Sequence, residues 1–158
     1  MSKQRGFTLI AVLVALVVLA LACNGLVFVL ARQAQREREA RLLQAGQQFV
    51  GALKSYYEAS PGSVKQLPRE LGDLVEDGRF MGVRRHLREI YEDPIGRQPW
   101  TVLRRADGSV EGIASASIDA PLRTAALDLG DLHLPAATHY SEWKFVFVPA
   151  AIADGERH

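Results

Sequence analysis

The sequence predicts an α+β protein, and three observations carry that reading. Residues 1–60 contain no proline and combine an apolar run with a polar, helix-forming stretch that bears an apolar stripe. Two strand-like runs, Trp100 to Arg104 and Val110 to Ser115, flank Asp107-Gly108, a strong hairpin signal. Near the C-terminus, Trp143 to Val148 alternates, with Trp143, Phe145 and Phe147 on one face and Lys144, Val146 and Val148 on the other.

The apolar run comes first. Phe7 to Ala31 gives 25 residues without a charge, which as a helix extend about 37 Å, enough to cross a bilayer. A cleaved secretory signal is the alternative. Its apolar stretch is shorter and ends at a small-residue cleavage site. Here the apolar pattern runs on through the candidate Ala-x-Ala positions into Val27, Phe28, Val29 and Leu30, so the segment is expected to stay in the membrane. Lys3 and Arg5 precede it, while Arg32, Arg36, Arg38 and Arg41 follow, so the count of basic residues does not set the orientation. Asn24 and Gly25 interrupt the run, either as a helix–helix contact or as an amide bonded within its own helix. Cys23, the only cysteine, excludes an intrachain disulfide and reads as a small packing residue.

From Arg32 to Arg41 the chain is polar and rich in helix formers, so the helix is expected to continue into water. Leu42, Leu43, Phe49, Val50, Leu53, Tyr56 and Tyr57 then make one helical stripe that must be covered. Pro61-Gly62 supplies the stop. One helix from Phe7 to Ser60 would be roughly 80 Å long. Two helices broken at Gly25 or Gly46 are the alternative, although glycine in a helix costs only about 1 kcal/mol. Beyond the stop, "QLPRELGDLVEDG" predicts a short helix with Pro68 in its first turn and Leu71, Leu74 and Val75 on one side. "RRHLREIYED" predicts another, ending at Asp93-Pro94.

Among the 158 residues, 19 Lys+Arg against 18 Asp+Glu leave a formal charge of +1, too little for counterion-release binding, and nucleic acid is excluded as a partner. The charge is unevenly placed. Seven basic residues against three acids lie between Arg79 and Arg105, and six acids against Arg123 lie between Asp107 and Glu142. Opposed patches of this kind suit head-to-tail packing, and equally an ordinary mixed surface.

Read as a motif, Arg5-Gly6-Phe7-Thr8-Leu9-Ile10 resembles the prepilin peptidase site of type IV pilins and of the pseudopilins of the type II secretion system. The resemblance implies a cut between Gly6 and Phe7, methylation of the new N-terminal Phe7, and an apolar helix that serves first as an anchor and then as the core of a filament. A generic signal anchor is the bland alternative. Most family members carry a glutamate where this chain has Ala11, a carboxylate thought to meet the amine of a neighbouring subunit. Phe7, Thr8 and Ala11 are therefore the assembly positions, and Ala11 points to a minor or tip subunit, because no buried charge there demands a partner.

The segments Tyr91 to Trp100, Gly112 to Ser117 and Tyr140 to Pro149 also look like the soluble domain of the major pseudopilin, in which an Asp-Pro-x-Gly turn leads into the first strand. The implied architecture is a pilin-like fold: leader 1–6, transmembrane helix 7–31, the soluble half of the same helix 32–60, and a periplasmic helix-loop and antiparallel sheet region 61–158. The implied function is structural, not enzymatic: an inner-membrane subunit with a cytoplasmic N-terminus, working with other pseudopilins, prepilin peptidase, a secretion platform and an ATPase. A bitopic anchored binding domain that never polymerises, or a minor type IV pilin, is the alternative. Many major pseudopilins hold calcium between later strands. Asp119, Asp128 and Asp131 are the oxygen ligands this chain offers there, without the family's ligand pattern. His86, His133, His139 and His158 lack zinc-site spacing, and Ser115 and Ser117 lack a nucleophile elbow, so no transition metal and no catalytic set is expected.

Overall fold

The computed structural model describes residues 4–130 and 132–149, apart from the side chains of 4–6 and 22–26. Two compact units divide the chain, Met1–Glu37 and Arg38–His158. Helix α1, Gln4–Glu58, contributes to both. A single helical turn, α2, follows at Gly72–Val75. Then come β1 (Thr101–Arg104), β2 (Val110–Ala114), β3 (Leu127–Leu129), β4 (Leu132–Leu134) and β5 (Lys144–Val146), with a 3₁₀ turn at Tyr140–Glu142. A long N-terminal helix followed by a small antiparallel sheet is the α+β arrangement expected of a pilin-like fold.

In the first unit the described side chains from Phe7 to Leu21 and from Val27 to Arg32 are exposed, most of them large and apolar. Among the described residues no helix is long and apolar enough to cross a membrane. Cys23, Asn24 and Gly25 have their side chains outside the described residues.

The second unit is built on the remainder of α1. Leu42, Phe49 and Leu53 are fully buried, and Leu43, Val50 and Tyr56 nearly so, which is the expected stripe, with Tyr57 half-buried at its edge. Helix α1 ends three residues before Pro61, with Gly62 at a positive φ of 82°. Antiparallel pairing orders three strands β1-β2-β5, with Val102 opposite Ile113 and Ile113 opposite Phe145. Gly108, at φ 82°, makes the predicted turn between β1 and β2. Trp143 and Phe145 enter the core and Lys144 stays exposed, as the alternation predicts. Phe49 meets Trp100 edge-on at 5.7 Å, so helix and sheet share one apolar cluster.

Three expectations need correction. Residues 84–93 form no helix: the amides of His86 and Leu87 both donate to the Leu74 carbonyl, at 2.9 and 2.8 Å, which takes them out of any i→i−4 ladder. The helix expected near Pro68 shrinks to α2. Asp73 Oδ2 accepts from the amides of Arg69 and Glu70, each at 3.0 Å, and the Pro68 carbonyl accepts from the Val110 amide at 2.7 Å, so the preceding residues are held outside the helix. The stretch from Asp119 to His139, in which the sequence predicts no strand, contains the hairpin β3–β4, with Leu127 opposite Leu134 and Gly130 at φ 65°.

Candidate functional site

The processing residues lie at the start of α1. Gly6 and Phe7 are already helical, and Phe7 is 75% exposed, with Thr8 and Ala11 exposed beside it. Ala11 lies four positions after Phe7, which places both on one helical face. A helix bare of cover and apolar on all sides needs lipid or other helices around it, because each Leu, Val or Phe gains on the order of 1.5–3 kcal/mol on leaving water.

In the second unit the three segments marked out by the sequence converge. Asp93 of the Asp-Pro-Ile-Gly turn is buried. Its Oδ1 accepts from the Ile95 amide at 2.9 Å, and its Oδ2 accepts from the Ser115 hydroxyl at 2.6 Å and the Ala116 amide at 3.3 Å. A Cβ on Gly96 would fall 2.6 Å from that same Oδ2, so the turn needs glycine to bring its carboxylate home. On the far side of β2, a Cβ on Gly112 would lie 2.3 Å from the Phe145 carbonyl oxygen, and only glycine admits β5 so closely. The Ser141 and Tyr140 amides close the corner by donating to the carbonyls of Ser117 and Asp119, at 2.9 and 3.1 Å.

Two further ties escape a reading of the sequence. Glu39 lies in the polar part of α1 yet is only 3% exposed. Its Oε2 accepts from the Tyr140 hydroxyl and from the Leu122 amide, each at 2.9 Å, while Arg123 Nε stands 3.4 Å from Oε1. At the other end of the stripe, Asp77 takes a fork from Arg79, Nε to Oδ1 at 2.8 Å and Nη2 to Oδ2 at 2.7 Å. Arg79 continues to the Tyr56 carbonyl and the Ser60 hydroxyl, both 2.9 Å, and lies 3.5 Å over the Tyr56 ring. It thereby satisfies the Tyr56 carbonyl, one of those that the end of α1 leaves open. The Arg79 side-chain bonds hold the Asp77 carboxyl far below the usual carboxylate range, overcoming the opposing effect of burial, with the Arg79 amide and His86 adding to them. Burial pushes the Tyr56 phenol up, against the pull of Arg79. The only signal for these ties was the presence of acids beside arginine or near an apolar stripe.

The other candidates are dispersed. Asp119 accepts from Ser117 Oγ at 3.1 Å, and Asp128 pairs with His133. Asp131 lies outside the described residues, as does His158. Among the described residues no three His, Cys, Asp or Glu side chains gather in a way that could hold a metal ion. His86 bridges Ser55 Oγ and Asp77 Oδ2, at 2.8 and 3.1 Å, and His139 meets the Ile118 carbonyl. Ser115 is engaged by Asp93, and Ser117 by Asp119.

Comparison with known proteins adds one finding: residues 1–23 match the family described as the prokaryotic N-terminal methylation motif. This is the prepilin-peptidase signal of type IV pilins and pseudopilins. No curated protein and no solved structure matches the chain.

Proposed function

We propose that the chain is a structural subunit of a type II secretion pseudopilus, cut between Gly6 and Phe7, methylated on Phe7, and added from the inner membrane to a short filament that supports protein export. The observation that carries this reading is the methylation motif at 1–23 running directly into a helix with uncovered apolar side chains. The second unit supports it. The Asp93 turn, β2 and β5 form one hydrogen-bonded corner from the three segments that look like a major pseudopilin. The chain works as building material, not as an enzyme. Its partners are other pseudopilins, prepilin peptidase, the inner-membrane platform and the ATPase, with the N-terminus cytoplasmic and the folded domain periplasmic.

Ala11 gives the subunit a minor or tip place. A carboxylate at that depth is costly in lipid until it meets a neighbour's amine, and a subunit without it loses that drive to stack repeatedly. N-terminal peptide mass analysis of protein made alongside prepilin peptidase tests the reading. N-methylated Phe7 as the first residue is the expected result, and recovery of only the Met1 form overturns it.

A further inference from the structure

At the end of α1 in the second unit, a relay of hydrogen bonds joins a hydroxyl, an imidazole and a carboxylate. Ser55 lies three positions before Glu58, the last residue of α1, and is exposed. Its Oγ stands 2.8 Å from His86 Nδ1, and His86 Nε2 stands 3.1 Å from Asp77 Oδ2. The His86 and Asp77 side chains are 1% and 0% exposed, so of the three groups only the serine faces solvent. Asp77, forked by Arg79, is ionised and can only accept. The hydrogen of the neutral ring therefore sits on Nε2, which leaves Nδ1 to accept from the Ser55 hydroxyl. The ring is also held in place: the His86 amide donates to the Leu74 carbonyl at 2.9 Å, and Tyr56 meets the imidazole edge-on at 5.4 Å. A hydroxyl aimed at a base whose tautomer a carboxylate fixes is the arrangement that activates a serine as a nucleophile.

We propose that Ser55 is an acylation site, taking one acyl group per copy from an activated acyl ester. Ser55 Oγ attacks the ester carbonyl carbon while its proton passes to His86 Nδ1. The bond from that carbon to the leaving oxygen then breaks, and the leaving group takes the proton from His86. A serine ester and a free alcohol result, with no change of oxidation state. Asp77 touches neither the hydroxyl nor the ester; it positions the ring and stabilises the imidazolium that forms between the two steps. The loop that carries His86 leaves Met81 and Val83 uncovered, with Val83 only three positions before the base. That apolar surface suits a donor with a hydrocarbon chain better than a phosphoryl donor. The reaction modifies the chain itself, and it goes beyond the subunit role without depending on it.

The test treats the full-length chain in detergent with p-nitrophenyl octanoate and follows octanoyl-serine by peptide mass. Ser63, exposed just beyond α1, is the reference within the same molecule. Ser55 should be acylated about a hundredfold faster than Ser63, the low end of what a positioned base supplies. His86→Gln and Asp77→Asn, each read only where circular dichroism shows the native fold, should bring the Ser55 rate down toward that of Ser63 and leave the Ser63 rate unchanged. Met81→Ser with Val83→Ser should slow octanoyl transfer more than acetyl transfer from p-nitrophenyl acetate. Equal rates at Ser55 and Ser63 in the unaltered chain overturn the proposal whether or not any variant folds. Fast acylation of Ser55 that survives in a folded His86→Gln chain overturns it as well, because the hydroxyl then reacts without its base.

Discussion

Gly46 sits in the middle of the α1 stripe, and replacing it with alanine sets two effects of known size against each other. In an exposed helix, Gly→Ala gains up to about 1 kcal/mol, because alanine loses less backbone freedom on folding. At Gly46 the new Cβ would fall 2.0 Å from Phe145 Cδ1, 2.2 Å from Cε1 and 2.6 Å from Cγ. The Cγ distance matters most, since a turn of the ring about its own axis cannot move that atom away. Phe145 is completely buried and belongs to β5, so the ring and its strand must shift together. Overpacking of this kind costs about 1–3 kcal/mol, which outweighs the helical gain. Gly51 is the control, exposed in the same helix with nothing within 4 Å of its would-be Cβ. Urea unfolding of the chain from Arg32 onward should show Gly51→Ala raising the midpoint and Gly46→Ala lowering it, a separation of roughly 1 M. Phe145→Leu should recover part of the Gly46→Ala loss, in the manner of a double-mutant cycle. A Gly46→Ala midpoint that rises with that of Gly51→Ala would refute the contact between helix and sheet.

Phe49→Asp should leave the same fragment unfolded by circular dichroism, since it forfeits about 1.5–3 kcal/mol of burial and places a charge against Trp100; an unchanged melting temperature would reject the packing. The Asp77 carboxyl is depressed in the folded state, so its contribution is full above the unfolded value near about 4 and fades as the pH falls below it. Asp77→Asn should lower stability by about 3 kcal/mol at neutral pH and flatten the acid limb of a midpoint-against-pH curve, whereas an unaltered limb would show that the fork to Arg79 contributes nothing. Ala11→Glu should increase self-assembly when the chain is overexpressed with prepilin peptidase, measured as sheared filament, because the carboxylate can pair with the Phe7 amine of a neighbour. Abundant filament from the unaltered chain, with no gain from the glutamate, would reject the minor or tip assignment.

The sequence by itself determined the elements whose cause is local. Helix α1 follows from 60 residues without proline, an apolar stripe at helical spacing and the stop at Pro61-Gly62. The β1–β2 hairpin follows from Asp107-Gly108, and β5 from strict alternation. The processing signal is legible for the same reason, being contiguous. The β3–β4 hairpin is not read from the sequence, although Leu127, Leu129, Leu132 and Leu134 alternate about Gly130, because each strand is only three residues long and the alternation is too brief to stand out. Tertiary structure alone decided the rest. Residues 84–93 have a helical pattern, yet the Leu74 carbonyl takes their amides and Asp77 takes His86, partners that no local rule supplies. Gly46 reads in sequence as a weak point in a helix and proves to be the seat of Phe145, 99 residues away. Glu39 reads as one more solvated charge, but is buried because a tyrosine hydroxyl and a backbone amide arrive from more than 80 residues down the chain. Periodicity records which face of an element is apolar. Which polar groups are carried inside depends on the partners that folding brings to them, since a buried carboxylate is tolerable only once its hydrogen bonds are made.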